Sequence, residues 1–349
     1  MPASRPSSEV VASDAQELPL TPWRALRGHT APLHVVVFNR DGSYCATGGQ
    51  DRTINLWNPY RCANEADGES VKGESDAFLL RAYRGHGYDV MDIAIMPDST
   101  RFASVGGDRC AFLWDTTTGN VLRKLFGHEQ RLSACAVNGE GTLLLTGSHD
   151  MTARVWDVRA ARGGGSGPVQ VLAGFRDNVT RVAFSRAGDA IVASALDGCV
   201  RTFDLRAGRL LTDDVGAPIT SLALSNDGNC TLTASPRDGG FLALLEAGRG
   251  TVLKRYTGGH TNSLYRLVPT FTSTDSHVVV GSEDGGVAFY DLVRGSVAAR
   301  LHQAHQRVVS CVAVHPSPLA SVMLTASFDG TAKLWGAASD NAGRFVVER

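Results

Sequence analysis

Four times along the chain a histidine, a hydroxyl residue and an aspartate recur at matching offsets. The sets are His29, Thr47 and Asp51; His86, Ser104 and Asp108; His128, Thr146 and Asp150; His305, Thr325 and Asp329. These side chains are the parts of a nucleophilic relay: a carboxylate orients an imidazole, which takes the proton of a hydroxyl. A relay needs only one copy, with an exposed nucleophile beside an oxyanion hole. Here each copy also carries a tryptophan six residues after its aspartate, at Trp57, Trp114, Trp156 and Trp335. A buried indole needs an acceptor for its N–H. The hydroxyl oxygen can accept from the indole while its O–H donates to the imidazole, whose other nitrogen donates to the aspartate. Each such bond is worth only about 1 kcal/mol net, but a buried group left unpaired costs about 1–3 kcal/mol. Repetition with a fixed aromatic therefore reads as internal polar bracing and not as catalysis.

The elements that must hold these sets are short strands. The turn aspartates are Asp51, Asp108, Asp150, Asp197, Asp238, Asp284 and Asp329, spaced 41 to 47 residues apart after a first gap of 57. That is the period of four-stranded propeller blades, ~40–45 residues. The long gap holds a charged insertion at 61–76, and another holds RAARGGGSGP at 159–168; both read as surface loops. Gly-His precedes the aspartate at Gly28-His29, Gly85-His86, Gly127-His128 and Gly259-His260, with Ala304-His305 a variant. Repeats four and five are degenerate, with Phe175 and Gly216 in the histidine slot. Runs such as LHVVVFN (33–39) and RVAFS (181–185) are short, apolar and closed by turns, and no stretch has helical periodicity. The expectation is an all-β protein: a seven-bladed β-propeller over 21–336, with antiparallel four-stranded blades and tails at 1–20 and 337–349. The ring would be closed by the N-terminal strand at 22–27, for which 344–349 is a rival.

Composition narrows the function. Lysine plus arginine number 34 against 35 acids, so no net field draws nucleic acid or an acidic membrane. No apolar run approaches the ~20 residues that span a bilayer, and the N-terminal segment lacks an apolar address region. Seven cysteines, Cys45, Cys62, Cys110, Cys135, Cys199, Cys230 and Cys311, stand too far apart for a CxxC site. They read as free thiols in a reducing compartment, cytoplasm or nucleus. His302 and His305 have a metal-like spacing, but His305 belongs to a bracing set and no further ligand stands near in sequence. The GGGSG run at 163–167 lacks the Gly-Lys-Ser/Thr of a phosphate loop. No cofactor or metal is expected.

Recognition is left to the rim of the ring. The residue before each turn aspartate faces that rim, which gives His149, Arg237, Glu283 and Phe328. Positions three and five after each histidine open the first strand there, which gives Asp89, Met91, Arg131, Ser133, Ser263 and Tyr265. Asn178 and Thr180 fill the same places after Phe175, and Tyr88 sits beside them. Tyrosine, phenylalanine, methionine and arginine are what protein-binding hot spots favour. The expected protein is monomeric within larger complexes.

The four-membered sets resemble the hydrogen-bonded tetrads of the WD-repeat family. Longer stretches, among them YCATGGQDRTINLWNP (44–59), YRGHGYDVMD (83–92) and DGCVRTFDLRAGRL (197–210), resemble the mitogen-activated protein kinase organizers of that family. The resemblance covers most of 23–335. It implies a scaffold for kinase-cascade components, a spliceosome-associated factor in pre-mRNA splicing, or both, with RNA met through other proteins. A second reading comes from Trp156-Asp157-Val158-Arg159, echoed by Phe203-Asp204-Leu205-Arg206. It resembles the adaptor-docking box of substrate receptors for cullin–RING ubiquitin ligases, although Ala153 stands where such boxes have a bulky apolar residue.

Overall fold

The computed structural model describes residues 17–61, 78–159 and 167–337. The expected tails therefore fall largely, and the two insertions almost wholly, outside the described residues, and so does the rival closing strand 344–349. The chain opens on β1 (Thr21–Arg27). Blade I is β2 (Leu33–Phe38), β3 (Cys45–Gly49), β4 (Thr53–Trp57) and β5 (Leu79–Arg84). Blade II is β6 (Val90–Ile95), β7 (Arg101–Gly106), β8 (Cys110–Asp115) and β9 (Val121–Phe126). Blade III is β10 (Leu132–Val137), β11 (Leu143–Ser148), β12 (Ala153–Asp157) and β13 (Gln170–Leu172). Blade IV is β14 (Val179–Phe184), β15 (Ala190–Ala195), β16 (Cys199–Asp204) and β17 (Arg209–Asp214). Blade V is β18 (Ser221–Leu224), β19 (Cys230–Ser235), β20 (Phe241–Glu246) and β21 (Val252–Tyr256). Blade VI is β22 (Thr270–Phe271), β23 (His277–Gly281), β24 (Val287–Asp291) and β25 (Val297–Leu301). Blade VII is β26 (Val309–Val314), β27 (Val322–Ser327) and β28 (Thr331–Gly336), and its fourth strand is β1. The result is the seven-bladed, antiparallel, all-β ring expected, and no α-helix occurs among the described residues.

Innermost strands line an axial channel and lie against one another from blade to blade. The second and third strands carry the apolar faces; β7, β11, β15 and β19 are buried over five of their six residues. Outer strands are wet, as in β17, where five of six residues are exposed. The core is a series of seams between neighbouring sheets. Between blades I and II, Val35, Ala46, Ile54 and Tyr83 meet Val90, Ile93, Phe102 and Trp114. Closure uses the same antiparallel pairing: Leu26 of β1 stands opposite Ala332 of β28, and Leu26 is 1% exposed. That pairing covers the last sheet edge of the ring.

Two local devices recur. The residue after the turn aspartate has positive φ in all seven blades: Arg52, Arg109, Met151, Gly198, Gly239, Gly285 and Gly330. Five innermost strands carry a bulge near their start, between Leu33 and Val35, Val90 and Asp92, Leu132 and Ala134, Val179 and Arg181, and Val309 and Cys311. A bulge re-aims the side chain it carries. In blades III, IV and VII that side chain is a hydroxyl, and it donates to the next blade: Ser133 to Val179 O, Thr180 to Ile219 O at 2.9 Å, Ser310 to Leu33 O at 2.7 Å. Ser133 and Thr180 are therefore buried between blades and not presented at the rim.

Candidate functional site

The bracing sets come together in four blades. In blade I, His29 Nδ1 lies 2.7 Å from Asp51 Oδ2 and its Nε2 2.7 Å from Thr47 Oγ1, which accepts Trp57 Nε1–H at 2.8 Å. The matching distances are 2.5, 2.7 and 2.7 Å for His86, Asp108, Ser104 and Trp114. They are 2.7, 2.9 and 2.9 Å for His128, Asp150, Thr146 and Trp156. For His305, Asp329, Thr325 and Trp335 they are 3.0, 2.7 and 2.9 Å. With the indole donating, the hydroxyl gives its proton to Nε2, and Nδ1–H points at the carboxylate. The order of donors is that of a nucleophilic relay, but all four hydroxyl residues are wholly buried and no substrate reaches them.

The aspartates also order their turns. Asp51 accepts from the amide and hydroxyl of Thr53, and Asp329 does the same with Thr331. Burial raises the Asp51 carboxyl, but hydrogen bonds from His29 and Thr53 and the His29 charge outweigh it and bring it down to about 2. Asp108, Asp150 and Asp329 are depressed by the same contest.

Blades IV to VI solve the problem differently. In blade IV, Arg201 pairs with Asp197 at 2.7 Å and lies over the Phe175 ring at 4.9 Å, so a stacked guanidinium replaces the imidazole. In blade VI the Tyr290 hydroxyl meets His260 Nδ1 at 2.7 Å and accepts from Gly259 N at 2.9 Å, while Asp284 pairs with Arg300. In blade V the Asp238 side chain is 85% exposed on a left-handed residue and reaches its neighbour Arg237, at 3.9 Å, instead of an imidazole.

At the face where the aspartate turns and innermost strands begin, the rim residues form two groups. Tyr265 stands edge-on to Phe328 at 5.0 Å; Phe328 stands edge-on to His34 at 5.6 Å; and His34 lies 3.9 Å from Asp89. Arg131 Nε–H donates to His149 Nδ1 at 3.2 Å, and burial with the Arg131 and Arg266 charges pushes the His149 imidazole down to about 4. Tyr88, beside the small Gly107, is 63% exposed, and Met91 occupies the blade II bulge. Glu283 is committed to the backbone: one of its oxygens accepts from Ser263, Leu264 and Tyr265 N at 2.7–2.9 Å. Asn178 and Arg237 hold other loops, through Leu196 N and Gly216 O. Arg159 lies on a different surface, forked onto Asp157 at 3.2 and 2.8 Å. Leu264, 82% exposed, belongs to the first group, and sequence spacing missed it because its loop has no strand period. Three charged residues of the channel, Asp92, Arg181 and Arg266, were missed as well. Their signal was present: Asp92 and Arg181 interrupt the apolar runs VMDIAI and VTRVAF.

Among the described residues no group of His, Cys, Asp and Glu could hold a metal ion. No helix among them is long and apolar enough to cross a membrane.

The family model described as WD domain, G-beta repeat, matches residues 20–58, 78–115, 119–157, 166–204 and 297–336. This chain belongs to the WD-repeat family. Each matched stretch starts on the outer strand of one blade and ends on the third strand of the next, so the WD repeat is offset from the blade by one strand. The unmatched repeats are those of blades V and VI; that of blade IV is matched although Phe203 stands in place of the tryptophan. The chain is 40% identical to the human WD repeat domain-containing protein 83, over 91% of this chain and 93% of that one. It is 35% identical to the zebrafish protein of that name, over 94% and 96%. With the Dictyostelium discoideum homolog it shares 26% identity over 89% and 97%.

Proposed function

We propose that this WD-repeat protein is a non-catalytic scaffold that captures other proteins on the aspartate-turn face. We propose further that its partners are components of a mitogen-activated protein kinase cascade or of the spliceosome, met in cytoplasm and nucleus. One observation carries the scaffold reading: the reactive-looking side chains are spent on bracing, while Tyr88, Leu264 and Tyr265 stand exposed on the face they brace. A rigid ring presenting aromatic and apolar side chains with polar neighbours fits protein recognition. The organizer-like stretches at 44–59, 83–92 and 197–210 support the choice of partners.

Affinity purification of the tagged full chain, with mass spectrometry, tests it. Kinases of one cascade or splicing factors should be recovered, and Tyr88→Ala with Arg131→Ala should lose them while the thermal melt stays put. Recovery of a cullin adaptor that is lost with Arg159→Ala would replace the proposal with the ligase reading.

A further inference from the structure

Each blade pairs one third-strand residue, shortly after the turn aspartate, with a residue of its outer strand. In six blades that pair holds a lysine or arginine. Blade II has Phe112 opposite Lys124, blade III Arg154 opposite Val171, and blade IV Arg201 opposite Thr212. Blade V has Ala243 opposite Arg255, blade VI Ala288 opposite Arg300, and blade VII Lys333 opposite Ala25. The cation is put to use each time. Arg154 lies against Gly127, and Lys333 Nζ donates to Ala304 O at 2.6 Å, both at the turn before the histidine. Arg201 and Arg300 pair with the turn aspartates Asp197 and Asp284. Lys124 Nζ stands over the Phe112 ring at 4.5 Å, and Arg255 over the Phe241 ring at 5.0 Å.

Blade I has neither residue. Its pair is Asn55 opposite Ala82, two short side chains. Beside them a cleft of about 450 Å³ opens on the flank of the blade, between the Gly28 turn and Gly85-His86. Pockets that take ligands begin at about 300 Å³, so a side chain from outside has room. Arg52 and Arg84 line the cleft, and both are exposed. Arg84 stands opposite Thr53, the residue after Arg52, so the two cations share one end of it. Leu79 and Ala82 give it an apolar part. Asp51 is the one acid among the described lining residues, and its oxygens already face His29, Thr30 and Thr53. His86 is held at both ring nitrogens by Asp108 and Ser104. The balance is two guanidiniums against one carboxylate that has its own donors, so the cleft attracts an anion and repels a cation.

We propose that this cleft docks an acidic stretch of a partner protein, one Asp or Glu carboxylate of which enters between Arg52 and Arg84. Six blades fill the position with a long cationic side chain of their own. In blade I the filler comes from outside, and its charge is reversed because the cations already stand on the wall. Paired guanidiniums offer N–H forks that match a carboxylate, and the amide of Asn55 adds a donor from the lining. The surface lies outward of the aspartate turn and uses neither Tyr88 nor Arg131. It therefore goes beyond the capture face proposed above and stands or falls apart from it.

The test uses the purified full chain and a fluorescein-labelled peptide of alternating Glu, Ser and Gly. Fluorescence anisotropy should rise saturably, and the affinity should fall with added salt. The same peptide with Gln for Glu should not bind. Arg52→Gln with Arg84→Gln should weaken binding by at least about tenfold, as the loss of two charge-assisted contacts does. The melt should stay unchanged, because both side chains are exposed. Asn55→Arg decides between a shaped site and a merely positive surface. It copies Arg154 and Arg201, fills the cleft and should abolish binding although it adds a positive charge. Arg294→Gln, at an exposed cation of blade VI, should change nothing. Affinity that survives loss of Arg52 and Arg84, or that rises in Asn55→Arg, overturns the proposal. So does single-stranded RNA that binds the same cleft more tightly than the peptide, because a phosphate chain is then the ligand. The readout needs no captured partner, so it is separate from the outcome for Tyr88 and Arg131.

Discussion

A single hydroxyl in each bracing set carries two bonds, and this decides what its loss costs. Thr146→Val keeps the shape of the side chain but strips both His128 Nε2 and Trp156 Nε1 of their partner. At about 1–3 kcal/mol for each orphaned group, chemical denaturation should show a loss of about 2–6 kcal/mol, with no change in what the rim binds. The left-handed residue after the turn aspartate predicts the opposite sign. Met151 holds φ 60° where blades IV, VI and VII have glycine. A non-glycine residue there costs roughly 1–2 kcal/mol, so Met151→Gly should raise the unfolding free energy read from chemical denaturation by about 1 kcal/mol, after the entropy glycine adds to the unfolded chain. His260 predicts a pH dependence. It is buried, and burial with the Arg300 charge lowers it to about 4 against the pull of Asp284. Unfolding returns it to about 6.5, so the unfolded chain takes the proton first. Its contribution is fully present above pH 6.5 and is lost as pH falls toward 4, by roughly 3 kcal/mol. The aspartates act lower: Asp51, depressed to about 2, stabilises above about pH 4 and loses this as pH falls through 2. Melting curves should therefore drop in two stages on acidification, and His260→Gln should shrink the upper stage, to which His149, also held near 4, contributes as well.

At the scale of elements, the strands and their order were legible because each blade needs the same antiparallel meander and the same aspartate turn. Aspartate spacing alone placed seven sheets, and the apolar runs marked the innermost strands. Two things were not legible. Bulges add one residue to a strand, so counting from the histidine carried Ser133 and Thr180 onto the rim when the chain folds them between blades. The degenerate repeats gave no hint of their substitutes, because Arg201 and Arg300 lie outside the offsets that define the motif. Of the candidate face, Tyr88, Tyr265 and Phe328 were found from spacing, whereas Leu264 and Arg266 sit on a loop whose shape depends on Glu283, remote in sequence. The closing strand has its own prediction. Leu26 is buried against the last strand of the chain. Leu26→Ala should cost about 2–5 kcal/mol, and Leu26→Asp should release β1, leaving the edge of β28 open to other chains. Size-exclusion chromatography and light scattering would report the self-association that follows.

For the whole molecule, on the scaffold reading proposed above, rigidity and recognition fall to different residues. Tetrads, interblade hydroxyls and channel arginines hold the ring; the aromatic rim is free to be used. The double change Tyr88→Ala with Arg131→Ala should for that reason lose partners without lowering the melt. The first strand of the ring is paired with the last, which fixes the timing of folding on the ribosome. β1 emerges early and has no mate until β28 has been made, some three hundred residues later. Six blades can form while the seam stands open, and contacts of such long sequence separation form slowly. A tag, cleavage or modification near Thr21 would thus act on the final step of assembly, when a finished but unsealed ring must choose between its own leading strand and that of a neighbour.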